Sequence, residues 1–513
     1  MNYFDYSLEK LNEYEQVRDC LSRKKSCQVT GCGDSQLAHF INGLSNGYKQ
    51  KVIVTFSAIK AKELYDDMKG FTDDVVMYPA KDLIFFSADV HGSYILQQRL
   101  EFIQKVVENK PFTVIVTVDA FLDKIQPLEK IRDNYIEIGE GSIVEMDALK
   151  TKLAVMGYQA VTQIDSPGQF AIRGSILDIY TLTDETPYRI DFWDDEVDII
   201  KSFDVESQRS IENIESVKIY PASEYFLDKK TIEEGIAKIK KELEKSEKKF
   251  REEFNTEEAN NLKNTVGEFL TNMDINPYSV AIDSYVNYFC ENLVSLMDYF
   301  DEPIFFIDEP ARVEEQLRVV ETEFKESMSH RLLKGYVLSG QTDILWDKNY
   351  ILNRINDQQK VLFTTIAQKV KGFNVEEFVD VDARNISPYN SQFEMLVEDL
   401  KKYKKQKYSV LLVTSSATRG KRLAQDLRDF QISAFFESDN EREVQPGQVM
   451  IVKGSLRKGF TYPMIKFVAI SDTDIFGEKK KRKRKKHGYS GTTISSFADL
   501  NIGDYVVHEN HGL

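Results

Sequence analysis

The sequence predicts an α/β chain: a lobe built on a parallel sheet, an antiparallel α+β insert that interrupts it, and a second, smaller α/β domain after it. Three observations carry this. Over the first third, short β-branched runs alternate with helix-patterned segments, the pattern of a parallel sheet covered by helices. From about residue 131 to 222 apolar and polar residues alternate instead, as in antiparallel strands with one covered face. From residue 408 the fully apolar runs return.

At 513 residues the chain exceeds a single core, and usual domain sizes give roughly three to four domains. The hydrophobic share of 42% and charged share of 29% are those of a globular protein. A net charge of −16 argues against the whole chain being a nonspecific nucleic-acid coat. No apolar run approaches a membrane span, and the polar, acidic opening "MNYFDYSLEK" is unlike a secretory signal, so a cytoplasmic protein with no membrane contact is expected.

Taken in order, "CQVT" reads as a short strand, followed by a Gly turn and a helix with Leu37, Phe40, Ile41 and Leu44 on one face. "KVIVTF" (51–56) is a strand, with Ser57 as N-cap of a helix reaching Met68. "DVVMYP" (74–79) is a strand, "SYILQQRLEFIQKVVEN" a helix, and "FTVIVTV" (112–118) a buried strand. "FAIRGSILDIYTL", "PYRIDFWDDEVDIIKSFD" and "SVKIYP" make the antiparallel insert. Residues 229–262, with Lys and Glu interleaved, read as a helix with a solvated face. "PIFFIDEP" (303–310) and "KVLFTTI" (360–366) return to buried parallel strands. "YSVLLVTSS", a helix over 418–430, "VMIVKGS" and "IKFVAISDTDIFG" form the second α/β unit. Eight consecutive basic residues, 479–486, and a Gly/Ser/Thr-rich stretch to 496 follow. The final "LNIGDYVVHENHGL" reads as the start of a further domain.

The Gly turn has the outline of a phosphate loop, G-x-x-x-x-G-K-[ST], whose Lys reaches the outer phosphates and whose hydroxyl holds Mg²⁺. Gly33 and Ser35 fill their slots, Gln28 stands for the first Gly, and Asp34 stands where the Lys belongs. At ~4 Å and an effective dielectric of ~20 each unit-charge pair is worth about 4 kcal/mol, so this charge reversal is worth of order 8 kcal/mol before solvent and rearrangement reduce it. Either the turn is an ordinary Gly turn or it is a phosphate loop that no longer binds phosphate. "IFFIDEP" places an acidic pair, Asp308 and Glu309, after a buried strand, where an ATPase holds Mg²⁺ and orients water. Cys20, Cys27, Cys32 and Cys290 lack the paired spacing of zinc ligands, so no metal is expected.

Arg173, Arg189 and Trp193 fall on neighbouring strands of the insert, with Gly174 at a bend. Arg and Trp are frequent hot-spot residues. The other reading has Trp193 in the core and the arginines solvated. The basic octet is a solvated linker or a weak contact for DNA phosphate.

At "GQFAIRGSILDIYTL…PYRIDFWDDEVDIIKSFDVESQR" the sequence resembles the bacterial transcription-repair coupling factors and, more distantly, the excision-repair helicase UvrB. "YPAKDLIFFSADVHGSYILQQRLEFI", "VTVDAFLDKIQPLE" and the terminal "LNIGDYVVHENHGL" fit the same family. The resemblance implies a degenerate, helicase-like P-loop lobe over 1–130 and 223–385. It implies a UvrA-binding insert over 131–222, a divergent α/β domain over 386–478 and a basic linker over 479–496. The start of an RNA-polymerase-interacting domain would occupy 497–513. It further implies UvrA contacts at Arg173, Arg189 and Trp193, the last usually Phe in the family. UvrB keeps an intact phosphate loop; Asp34 marks its loss here. No catalysis, metal or cofactor is then expected of this part. ATP, Mg²⁺ and DNA translocation would belong to a motor elsewhere in the full-length protein, which displaces stalled RNA polymerase. The alternative is an active ATPase or helicase lobe that binds DNA, with Lys51 or another lysine supplying the missing charge.

Overall fold

A computed structural model describes residues 3–45, 47–81, 93–368, 370–439 and 441–477. The "AKDLIFFSADVHG" segment from residue 82, the basic octet, the linker and the terminal segment lie outside the described residues.

The first sheet has seven strands, in the order Glu377–Asp380, Cys27–Thr30, Lys360–Thr364, Ile304–Asp308, Gln50–Thr55, Phe112–Thr117 and Val75–Tyr78. Every pairing in it is parallel. Alternate residues of one strand enter different cores: Val52 and Val54, Val114 and Val116, Phe305 and Ile307 on one face, and Ile53, Ile115 and Phe306 on the other. Both faces are covered, which is why these strands read as unbroken apolar runs. Helix Ala58–Met68 begins where the sequence predicts, with the Ser57 hydroxyl accepting from the Lys60 N–H.

The insert is a six-stranded sheet ordered Ser210–Ile214, Glu196–Phe203, Tyr188–Trp193, Ile176–Tyr180, Gln169–Arg173 and Gln159–Ala160. Its pairings are antiparallel apart from the last. Phe170, Leu177, Ile179, Ile190 and Phe192 face inward and continue the first face's core.

The charged helical stretch expected over 229–262 with a solvated face falls in two helices, Lys229–Glu252 and Thr256–Ile275. Ile232, Ile239, Leu262, Val266 and Leu270 bury a shared stripe with Tyr285 and Phe289. The apolar residues recur every three to four positions among the charges, so a heavily charged composition conceals an amphipathic pair.

The last sheet runs Arg384–Asn385, Phe460–Tyr462, Phe467–Ser471, Ser409–Thr414, Val449–Lys453 and Ala434–Glu437. Its last four strands are parallel. Leu411, Val413, Met450, Val452, Phe460 and Tyr462 join the core of the lobe's second face. Insert and last sheet therefore extend the cores on opposite faces of one parallel sheet.

Candidate functional site

The turn after Cys27–Thr30 keeps the strand-turn-helix path of a phosphate loop, with Gly33 as N-cap of helix Asp34–Leu44. Gln28 does not line the turn. It lies inside the strand, buried, and donates to Thr364 Oγ1 at 3.1 Å and the Gln368 carbonyl at 2.9 Å.

The side chains of Asp34 and Ser35 are engaged by residues of the last α/β unit. Arg457 Nη2 reaches Asp34 Oδ1 at 3.1 Å, and Lys458 Nζ reaches the same oxygen at 3.2 Å. Arg457 Nε also donates to Asp67 Oδ2 at 3.2 Å. Ser35 Oγ, the would-be Mg²⁺ ligand, donates to Asp67 Oδ1 at 2.7 Å and accepts the Lys458 backbone N–H at 3.1 Å. Burial alone would raise the Asp34 carboxyl, but Lys458 and Arg457 outweigh it and hold it below the ordinary aspartate range. Asp67 is more deeply buried, and there desolvation wins over Arg457 and raises its pKa.

The acidic pair is likewise committed to protein partners. Asp308 accepts from Thr55 Oγ1 at 3.0 Å, and burial pushes its carboxyl up to about 6. Glu309, in the left-handed region at φ 49°, accepts from the Thr365 N–H at 2.8 Å and its hydroxyl at 2.5 Å. Lys51 pairs with Ile304 at the start of the neighbouring strand, whereas the turn follows the end of its own strand. In a parallel sheet this puts Lys51 at the opposite edge, away from the turn. The four cysteines are buried and free, and among the described residues no group of three or more His, Cys, Asp or Glu is placed to hold a metal ion. Among the described residues no helix is long and apolar enough to cross a membrane.

The insert brings its three singled-out residues to one face. Strand alternation sends Ile190 and Phe192 inward, so Arg189 and Trp193 point outward, and the same phase puts Arg173 and Asp178 on that side. Asp178 and Arg189 are direct cross-strand partners. The Arg189 fork grips Asp178, Nε to Oδ1 at 2.7 Å and Nη2 to Oδ2 at 2.9 Å, and its guanidinium lies 4.4 Å from the Phe203 ring centre. Arg173 binds Asp178 Oδ2 from the other side. The Asp178 side chain is 0% exposed, while that of Arg173 is 44% exposed. Trp193, at 81%, stands in solvent rather than in the core. Asp178 escaped the sequence reading; its signal is a lone acid inside "ILDIY", opposite an arginine in register.

Residues 136–225 match the family described as the UvrB interaction domain. The chain is 29% identical over 497 residues to the transcription-repair-coupling factor of Bacillus subtilis (strain 168), covering 94% of this chain and 41% of that protein. It is 27% identical over 508 residues to the transcription-repair-coupling factor of Staphylococcus epidermidis (strain ATCC 12228 / FDA PCI 1200), covering 98% of this chain and 42% of that protein. The chain thus spans about two fifths of the length of these curated relatives. A solved structure titled XPD helicase aligns with 89% of this chain and 81% of its own at 11% identity and a TM-score of 0.23, too slight a likeness to carry an argument.

Proposed function

We propose that this homologue of the transcription-repair coupling factors is a docking module of repair coupled to transcription, recruiting UvrA through the outer face of its insert. The observation that carries this reading is Trp193, fully presented to solvent on the face where the buried Asp178 fixes two arginines. A stiff aromatic beside pre-oriented guanidinium groups has the composition of a binding hot spot, and fixing the arginines beforehand lowers the entropy lost on docking. In this reading the lobe acts as a scaffold without ATP chemistry at the Asp34 turn, a reading supported by the acid in the lysine slot and its ion pairs with Arg457 and Lys458. RNA polymerase binding and ATP-driven movement on DNA belong, in this reading, to the full-length protein.

Trp193→Ala and Arg173→Ala test the reading by titration against purified UvrA. Both are expected to weaken binding at least tenfold, with the melting temperature unchanged in Trp193→Ala and lowered in Arg173→Ala, which removes one of the two guanidinium partners of the buried Asp178. Wild-type affinity in both variants would sink the assignment. Arg189→Ala is a poorer probe, because it strips the bidentate partner from a buried carboxylate and loosens the sheet as well.

A further inference from the structure

We propose that the amino edge of the last α/β unit is a contact surface for the phosphate backbone of duplex DNA, carried by Lys401, Lys404, Lys405, Lys407 and Lys466. The stretch "KKYKKQK" (401–407) sets five lysines in seven residues of a chain whose net charge is −16. It closes helix Phe393–Lys405 and leads into strand Ser409–Thr414. Lys466 comes from elsewhere in the chain, immediately before strand Phe467–Ser471. The two strands run parallel with Ser409 opposite Phe467, and the Ser409 N–H donates to the Lys466 carbonyl at 2.8 Å. Two separate segments thus bring exposed cations to one edge of the sheet.

Lys402 pairs with Asp399 at 3.0 Å, but among the described residues the five proposed contacts have no acidic partner. Elsewhere the protein pairs its surface lysines. Along helix Lys229–Glu252, Lys229, Lys230 and Lys248 each face a Glu four residues on. At that spacing from Lys401 stands Lys405, and like charges so placed destabilise a helix. The helix dipole accounts for cations in the last turn, where Lys402, Lys404 and Lys405 lie. It does not account for Lys407 and Lys466, which lie outside the helix. Both are in the left-handed region, at φ 61° and 52°. The Lys407 N–H donates to the Lys404 carbonyl and the Tyr408 N–H to the Tyr403 carbonyl, a Schellman ending whose left-handed position is usually glycine. A cation therefore stands at two places where the backbone alone favours glycine. Within 401–408 no large hydrophobic side chain is exposed, so the surface lacks the apolar anchor of a protein hot spot. Lysines bind phosphate as point charges, and regularly spaced phosphates match such a row without reading sequence. Tyr403 and Tyr408, with ring centres 5.1 Å apart, are half-buried rather than open to stack on bases, which favours a duplex over a single strand.

Fluorescence anisotropy of a labelled duplex of about 20 base pairs, titrated with the chain between about 50 and 150 mM KCl, tests the proposal. The basic octet 479–486 is no part of the site, and serines replace it in every chain compared, so that its own charge does not contribute. Saturable binding is expected, with log K falling against log salt at a slope of about −4, from five phosphate contacts. Lys407→Gly combined with Lys466→Gly should weaken binding at least threefold and flatten the slope by about 2. Its melting temperature should be unchanged or higher, because glycine suits both backbone positions. Adding Lys404→Gln and Lys405→Gln should bring the loss to tenfold or more. Absence of saturable binding at about 50 mM KCl overturns the proposal. So does wild-type affinity and slope in the four-residue variant. Polyglutamate of equal total charge that competes as well as unlabelled duplex assigns the surface to an acidic protein and overturns it too.

Discussion

Asp34 does more than remove a lysine from a phosphate loop. Its carboxylate is a receptor for Arg457 and Lys458, and Asp67 next to it takes the other edge of the same guanidinium. The Asp67 side chain is 1% exposed, so Arg457→Ala leaves a buried charge uncompensated. Breaking such a pair costs about 3 kcal/mol, and a matching fall in denaturant-unfolding stability is expected. Asp34→Lys, which restores the phosphate-loop lysine, is expected to place three cations together, lower stability by about 2 kcal/mol and create no ATP site. Saturable ATP binding at this turn in the Asp34→Lys chain would contradict that account. The loss at position 34 is legible in the sequence, since the spacing names the missing residue. Its replacement is not, because Arg457 lies 423 residues further along, and no local pattern encodes so distant a contact.

At the scale of the element, the strand-turn-helix path is preserved while the demands on its glycines have moved. A phosphate loop needs the glycine before its lysine so that backbone can approach phosphate. Here a Cβ on Gly33 would meet nothing within 4 Å. Gly31, at φ +85°, would drive a Cβ to 2.1 Å from the Val381 carbonyl oxygen. Gly33→Ala is therefore expected to stay within about 0.5 kcal/mol of wild type, and Gly31→Ala to cost about 3 kcal/mol or to prevent folding, as read by thermal melts. The reverse order would mean that the turn still follows phosphate-loop rules. Buried strands such as Phe112–Thr117 are legible because both faces are apolar. Glu377–Asp380 and Phe460–Tyr462 are not legible as strands, being short and, in the first, a sheet-edge strand with a charged residue at each end. In the insert Arg173, Arg189 and Trp193 are singled out by the sequence, but neither the exposure of Trp193 nor the buried Asp178 that fixes the two arginines is legible there. A charged residue on an outer strand face reads as solvated until its two guanidinium lids are seen.

At the scale of the whole molecule, the lobe and the last sheet share one core, and His39 sits at their junction. It is fully buried, with Nδ1 3.0 Å from the Tyr462 hydroxyl and Nε2 3.2 Å from the Phe4 carbonyl, and its ring lies 5.3 Å from that of Phe460. It thereby joins the N-terminal segment, the helix after the degenerate turn, and a strand of the last sheet. Burial pushes its pKa down to about 4, against about 6.5 in an unfolded chain. The unfolded state then binds the proton first as pH falls. The contribution is complete above about pH 6.5 and is lost progressively toward pH 4, amounting to about 3 kcal/mol. Asp123 and Asp308 act in the opposite sense. Burial raises both to about 6, so the folded chain takes up their protons before the unfolded chain does, and acid favours folding through them. The wild-type profile is a sum of opposed slopes, and the His39 share emerges only by difference. Urea unfolding of wild type and His39→Gln at pH 7 and pH 5 should show the gap between them narrowing by about 2 kcal/mol in acid, because the glutamine has no proton to accept. A gap independent of pH would mean that His39 is protonated in place, and that the junction of lobe and last sheet tolerates a buried charge.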